Sequence, residues 1–277
     1  MERTPGAAAG PRQATYTHGH HESVLRSHRW RTAENSAAYL LPRLRRGMAV
    51  LDVGCGPGTI TVDLARLVDP GQVTAVERVP DALELARAEA QRQDQRNIAF
   101  AVSDAQALDF GDDSFDVVHA HQVLQHLGDP VQALREMRRV CKPDGVVAAR
   151  DSDYAAFTWY PANPLLDEWL ARYRAAAHRN GGEPDAGRRM LSWARQAGFG
   201  AVTSTSSTWC FSTPEDRQWW GGMWADRILG SDLTAQLLDS GEATQSDLDR
   251  IAGAWRDWAA DEDGWFSILH GEIICTP

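Results

Sequence analysis

Five residues of this chain have the types and placement to do chemistry together: Asp52, Glu77, Asp104, His121 and Asp151. The four acids and the histidine each fall at or just past the end of an apolar run. Carboxylates so placed suit a ligand with hydroxyl groups and a cationic end, because an ionised carboxylate accepts hydrogen bonds at both oxygens. His121, whose ring titrates near neutrality, suits proton transfer or orientation of a reacting group. The acid at 52 lies inside Val50-Leu51-Asp52-Val53-Gly54-Cys55-Gly56-Pro57-Gly58, the most informative stretch of the chain. There an apolar run (Met48 to Leu51) meets a loop with three glycines, and Ile60, Leu64, Leu67 and Val68 then recur at helical spacing. A buried strand, a tight turn and a helix N-terminus let a nucleoside-bearing cofactor lie against bare backbone. The spacing is G-x-G-x-G with an acid two positions before the first glycine. A pyrophosphate wants helix N–H groups and no adjacent carboxylate, so the pattern points away from a dinucleotide.

The elements that must position these residues alternate. After the glycine turn and its helix, Asp69-Pro70-Gly71 ends the element, with Gly71 as its C′ residue. Val73 to Val76 read as the second strand, with Glu77 at its end. Asp81 reads as an N-cap with Glu84 at the capping-box position. Ile98 to Val102 and Phe115 to Ala120 are the third and fourth strands, followed by Asp104 and by His121-Gln122 respectively. A helix over 131–140 and the turn Lys142-Pro143-Asp144-Gly145 lead to the fifth strand, Val146 to Arg150, with Asp151 beyond it. This rhythm predicts an α/β fold with a doubly wound, mostly parallel sheet, whose crevice lies outside the carboxyl ends of the strands. Further on, helices are expected over about 163–180 and 185–197, and a strand from Ala201 to Phe211. Thr213-Pro214-Glu215 opens another helix and Ser246 caps a further one. A last strand runs from Phe266 to Cys275. Ten of the eleven tryptophans, all but Trp30, follow residue 150.

The totals set limits. At 277 residues with 43% apolar content, the chain suits one large α/β domain or two small ones. The mean hydropathy of −0.41 and the lack of an eighteen-residue apolar run speak against a membrane span. Residues 1–15 lack the apolar core of a secretory signal and read as a disordered tail. Cys55, Cys141, Cys210 and Cys275 show no paired spacing, which argues for reduced thiols in the cytoplasm. A formal charge of −10 offers no basic face for nucleic acid, so none is expected as a partner. The histidines near the start, His18, His20, His21 and His28, have no cysteine or acid spaced to complete a metal site, and no metal is expected. No oligomeric state follows from the sequence.

On the stretch 50–58 and its surroundings, the chain resembles the class I S-adenosylmethionine-dependent methyltransferases, and within them the small-molecule type 11 group related to the ubiquinone and menaquinone methyltransferases. The resemblance spans about residues 16–277 and is strongest over 47–155. It implies a Rossmann-like methyltransferase fold with seven strands, Ala201–Phe211 and Phe266–Cys275 being the last two. It also implies a helical cap over 16–46 and a methyltransferase domain over 47–277. That domain would have a cofactor half (47–150) and a substrate half (151–277), with a helical insertion at about 213–264. It implies S-adenosylmethionine as cofactor and S-adenosylhomocysteine as product. By resemblance, Gly54, Gly56 and Gly58 line the methionine and ribose portion, and Asp52 sits near the ammonium. Glu77 takes the ribose hydroxyls, Arg78 flanks the adenine, and Asp104 with the Ala105 backbone meets the adenine amino group. His121 and Gln122 face the cofactor from the fourth strand.

Each assignment has a plainer counterpart. Asp52 can simply cap the loop, Glu77 can be a surface acid, Asp104 can form a turn, and Arg78 can point to solvent. His121 is the candidate base or orienting residue, or only a contact to loop or cofactor. Tyr16, Asp151, Tyr154, Trp159 and Trp220 are candidates for the acceptor site, with Trp219 and Trp224 as further candidates for its wall, though a tryptophan stripe also reads as core. The richness in large rings favours a small hydrophobic or aromatic metabolite from a secondary or quinone-like pathway. Two rival readings are an NAD(P)-dependent oxidoreductase, which shares the fold, and a noncatalytic module that binds the cofactor. The segment after the fourth strand begins Ala-His-Gln-Val, unlike the Asn-Pro-Pro-Tyr-type segment of base-modifying methyltransferases.

Overall fold

The computed structural model describes Thr17 and residues 22–277. Short apolar runs between glycine or proline turns make five parallel strands: β1 (Val50–Val53), β2 (Val73–Glu77), β3 (Ile98–Val102), β4 (Phe115–His121) and β5 (Cys141–Ser152). They are followed by β6 (Thr158–Tyr160), β7 (Ala201–Phe211) and β8 (Trp265–Thr276). The order across the sheet is β3-β2-β1-β4-β5-β8. Strand β8 runs antiparallel, with β7 along one flank and β5 then β6 along the other. The sheet therefore has eight strands rather than the seven expected. The extra one, β6, is three residues long and exists because the chain leaving β5 stays in line to pair Thr158–Tyr160 with Trp265–Ser267.

Residues on β1, β2 and β4 are buried on both faces because helices cover both. Between the strands lie α3 (Thr59–Val68), α4 (Pro80–Arg92), α5 (Pro130–Val140), α6 (Pro164–Arg179) and α7 (Met190–Gln196). Ahead of the sheet come α1 (Glu22–Arg29) and α2 (Ala33–Ser36). The start of α4 differs from expectation. Pro80 occupies its first turn and Val79 its cap position, so Asp81 lies inside the first turn, where its charge meets the positive end of the helix dipole. Helix α3 ends on an extended Asp69, and Gly71 is not left-handed.

Three helices join β7 to β8: α8 (Pro214–Gly230), α9 (Asp232–Asp239) and α10 (Gln245–Ala260). Thr213 caps α8 by accepting from the Asp216 N–H. The cap of α10 is Thr244, in a reciprocal box with Asp247, and not Ser246. The tryptophans explain why these helices stay in place. Trp169 of α6 meets Trp224 of α8 and Trp255 of α10 edge-on, with centroids 4.5 and 4.8 Å away, and all three are fully buried. Edge-to-face contacts are the favoured geometry for such rings. Most of the ring mass after residue 150 thus welds α6, α8 and α10 to β8, while a subset turns toward the crevice. Among the described residues no helix is long and apolar enough to cross a membrane.

Candidate cofactor and acceptor cleft

A single continuous cleft crosses the carboxyl ends of β1, β2 and β4 and runs beneath α1 and α8. Its polar end is built by the loop after β1. Gly54 has φ +70°, and a Cβ there would overlap the Val123 side chain, so the turn admits no side chain. The loop is fastened to β2 by Gly54 N–H donating to the Val76 carbonyl at 2.9 Å. Glu77 Oε1 accepts from the Gly56 N–H at 2.9 Å and Oε2 from its neighbour Arg78 N–H at 3.1 Å. A carboxylate oxygen has two lone pairs, so each can accept a second bond from the cleft side. Gly58 has a different role. It is left-handed (φ +83°), does not line the cleft, and a Cβ there would lie 2.9 Å from the Ala86 Cα. It lets α3 pack against α4.

Asp52 lines the cleft but is 3% exposed. Its Oδ1 meets His119 Nδ1 at 2.8 Å and its Oδ2 accepts from Thr61 Oγ1 at 2.6 Å. The register explains the pairing, since His119 of β4 sits directly beside Asp52 of β1. Asp104 reaches the cleft and also forms a turn, accepting from the Gln106 N–H at 2.9 Å. Ala105 lines the cleft beside it, and Arg78 is exposed at its mouth.

His121 is 6% exposed, and neither ring nitrogen has a hydrogen-bond partner among the described residues. Burial drives its pKa well below the ordinary value, and the charges of Arg31 and Arg150 push the same way. The ring is therefore neutral at pH 7, with a lone pair available at the cleft. Gln122 also lines the cleft, with its side-chain amide engaged by neighbours. It sits at φ +54°, its amide nitrogen meets His270 Nε2 at 2.9 Å, and its Oε1 accepts from Arg31 at 2.7 Å.

The remaining sequence candidates divide. Tyr154 and Trp220 line the aromatic end, Tyr154 stacked on Phe157 at 4.3 Å and Trp220 on Phe211 at 4.4 Å. Trp159 lies outside the cleft, stacked on Phe266 at 5.6 Å. Asp151 is wholly buried and turned toward the backbone N–H groups of Leu124 and Gln125, at 3.3 and 3.2 Å. Burial raises its pKa to about 7, against the opposing pull of those N–H groups and of Arg150. Asp151 thus holds the loop after β4 rather than lining the cleft. Tyr16, like His18, His20 and His21, lies outside the described residues.

Trp219 and Trp224, both expected as pocket walls, line the aromatic end as well, and three residues that sequence reasoning missed complete it: Arg31, Trp209 and Arg227. Arg227 of α8 donates to Ser23 O at 2.9 Å and Ser27 Oγ at 2.8 Å, tying α1 down as a roof. None carries a local signal, because each reaches the cleft from a distant part of the chain. Among the described residues, one trio could hold a metal by proximity, His178, Glu183 and Asp185, away from the cleft. Its carboxylates already pair with Arg189 at 2.7 Å and Arg174 at 2.5 Å.

The buried ionisable groups give the protein a defined acid response. His121, His126 and His270 all have lowered pKa values through burial, that of His126 to about 3. Each contributes stability that is present above the unfolded value near 6.5 and is lost as pH falls below it. Asp151, raised to about 7, acts oppositely: its contribution is complete below its unfolded value near 4 and is lost as pH rises through about 7. As pH falls below about 6.5 the unfolded chain binds more protons on the three histidines and fewer on the aspartate. Unfolding free energy measured by urea titration is expected to fall on acidification below about pH 6.5, because the depressed histidines outnumber the raised aspartate. A stability flat between pH 7 and 5 would contradict the buried neutral histidines.

A family model described as a methyltransferase domain matches residues 44–198. The chain is 36% identical to an uncharacterized methyltransferase of Schizosaccharomyces pombe, over 95% of this chain and 96% of that one. It is 31% identical to a protein named probable methyltransferase ltbC of Aspergillus luteorubrus, over 94% of this chain and 96% of the relative. Among solved structures, the YcgJ protein of Bacillus subtilis superposes with a TM-score of 0.57 at 22% identity, covering 87% of this chain and 97% of that one. That likeness concerns the fold.

Proposed function

The chain belongs to the class I S-adenosylmethionine-dependent methyltransferases, and from that premise we propose that it methylates a small hydrophobic or aromatic metabolite in the cleft described above. The observation that carries the reading is the continuity of that cleft, from the Glu77 carboxylate at one end to the Trp209–Trp220 rings at the other. The polar end fits the cofactor: the loop at Gly54 admits no side chain, and Glu77 presents two oxygens, each able to accept a second hydrogen bond. S-Adenosylmethionine, when bound, supplies a methyl group activated by its sulfonium and leaves as S-adenosylhomocysteine.

In this reading Glu77 grips the ribose hydroxyls, and Asp104 with Ala105 receives the adenine edge, flanked by Arg78. The Gly54–Gly56 backbone cradles the amino-acid portion. Asp52, with both oxygens already engaged by His119 and Thr61, favours the ammonium by its charge. His121 accepts a hydrogen bond, and then the proton, from the acceptor. The rings of the aromatic end orient the acceptor and exclude water. Alignment of this kind contributes on the order of 7–11 kcal/mol in favourable cases. As written, the reaction requires no metal, and an acidic chain with charge −10 does not suit a nucleic-acid acceptor. Four free cysteines, three of them buried, support a reducing compartment, for which we propose the cytoplasm.

The test is turnover of S-adenosylmethionine to S-adenosylhomocysteine with a panel of phenols, amines and prenyl-type compounds. Turnover with hydrophobic aromatic members is expected. Turnover confined to small polar acceptors would contradict the proposal.

A further inference from the structure

We propose that the buried Arg150–Glu272 pair is a positioning device for His121, holding Trp209, and through it the imidazole, in the attitude that proton transfer needs. The inference deepens the functional reading above and rests on its assignment of His121.

A general base is ordinarily oriented by a hydrogen bond at its second nitrogen. His121 has none among the described residues, since both of its ring nitrogens are buried without a hydrogen-bond partner there. Its orientation therefore comes from packing, and two rings supply it. The Trp209 centroid lies 5.8 Å from that of His121, and the His270 ring stacks on it at 6.3 Å. Trp209 and His270 also meet each other at 4.3 Å. His270 is fixed locally. The Gln122 amide nitrogen donates to its Nε2 at 2.9 Å, which leaves Nδ1–H to donate to the Ile268 carbonyl at 3.2 Å. Trp209 is held at its edge, where the indole N–H donates to the Asn35 carbonyl at 2.6 Å. Its face is held by Arg150, whose guanidinium carbon lies 4.8 Å from the ring centroid.

The sheet explains why these groups meet. Arg150 of β5 is in register with His121 of β4 on one side and with Glu272 of β8 on the other. Neighbours in register share a face, so the three side chains stand in one row. Thr205 of β7 continues that row beside Glu272. The guanidinium is fixed in turn. Its Nε donates to Ser207 Oγ at 3.1 Å and to Glu272 Oε1 at 3.3 Å, and Thr205 Oγ1 donates to Glu272 Oε2 at 2.8 Å. The Arg150 and Glu272 side chains are 1% and 6% exposed. Burial lowers the Arg150 pKa only to about 10, so its charge persists at neutral pH. A buried ion pair adds little net stability, because desolvation offsets the attraction, and apolar pairs of similar volume commonly serve a core as well. Stability alone does not account for this pair. Its place beside the base, on the face of the ring that packs the base, does.

The experiment uses the full chain with S-adenosylmethionine and 1-naphthol, and reads kcat together with the KM for S-adenosylmethionine. Combining Arg150→Met with Glu272→Leu removes the pair without leaving a lone buried charge. The double replacement is expected to lower kcat about ten- to a hundredfold, because a misplacement of about 1 Å can cost that much. The KM for S-adenosylmethionine should stay within a few-fold, since the pair lies away from the glycine loop. Made in a His121→Phe background, the same double replacement is expected to change kcat by less than about twofold, because groups that act as a unit are not additive. A thermal melt checks folding. If the double replacement does not fold, Arg150→Lys decides. It keeps a cation for Glu272 but lifts the flat guanidinium from Trp209, and the same coupling to His121→Phe is expected. Equal losses in the two backgrounds, or a folded variant with unaltered kcat, would overturn the proposal. Absence of S-adenosylmethionine turnover by the unaltered chain would strike the functional reading and this inference with it, whereas turnover with additive losses strikes this inference alone.

Discussion

Replacing His121 by phenylalanine is expected to lower kcat by about a hundred- to ten-thousandfold, the usual contribution of a positioned general base. S-Adenosylhomocysteine affinity should stay within a few-fold. The substitution keeps an aromatic ring between Trp209 and His270, whose centroids lie 5.8 and 6.3 Å from that of His121, so the cleft wall survives. What is lost is a buried, neutral ring nitrogen without a partner among the described residues. A second readout separates proton transfer from packing. The loss should shrink as the acceptor hydroxyl becomes more acidic, because an acceptor that ionises unaided needs the base less. Steady-state kinetics across phenols of graded acidity make the measurement. An equal loss for all of them would leave His121 a purely structural role.

Truncation of Glu77 to alanine is expected to weaken S-adenosylhomocysteine binding about ten- to a hundredfold, or roughly 1.5–3 kcal/mol for a lost charge-assisted pair. The carboxylate has two duties in this geometry. It holds the glycine loop through the Gly56 N–H and, in the proposed reading, would accept from the two ribose hydroxyls. Both duties fail together in the alanine variant, so the whole cofactor end of the cleft should loosen. Titration calorimetry reads the affinity, and a thermal melt shows whether the domain still folds. Unchanged affinity in a folded variant would remove Glu77 from the site.

The difference between what the sequence disclosed and what it hid follows the range of the interactions. Strand β7 is bounded as expected, Ala201–Phe211, because its β-branched residues and the helix start at Thr213-Pro214 are local signals. Strand β5 begins earlier than Val146, since Cys141 pairs with Phe115 ahead of a register shift. Short β6 was hidden because its pairing depends on Trp265–Ser267, about a hundred residues away in the chain. Asp52, Glu77, Asp104 and His121 were visible as strand-end residues, and the fold brings them to one cleft. Position alone did not reveal which way each side chain turns. Gln122 lines the cleft beside His121, but its amide is engaged by Arg31 and His270. Asp151 ends a strand as Glu77 does, but the loop after β4 offers it two N–H groups and takes it out of the cleft. Arg31 and Arg227 had no motif at all. Arg31, just beyond α1, and Arg227 of α8 come to the cleft only once these helices lie over the sheet.

In the proposed reading the nucleoside lies against β1 and β2 with its ribose on Glu77, and its sulfur end turned toward His121 and the aromatic rings. A crystal structure of the full chain with S-adenosylhomocysteine tests it most directly. Both ribose hydroxyls are expected within hydrogen-bond distance of the Glu77 carboxylate, with the adenine beside Asp104 and Ala105. A nucleoside bound elsewhere, or one whose ribose lies out of reach of Glu77, would contradict it.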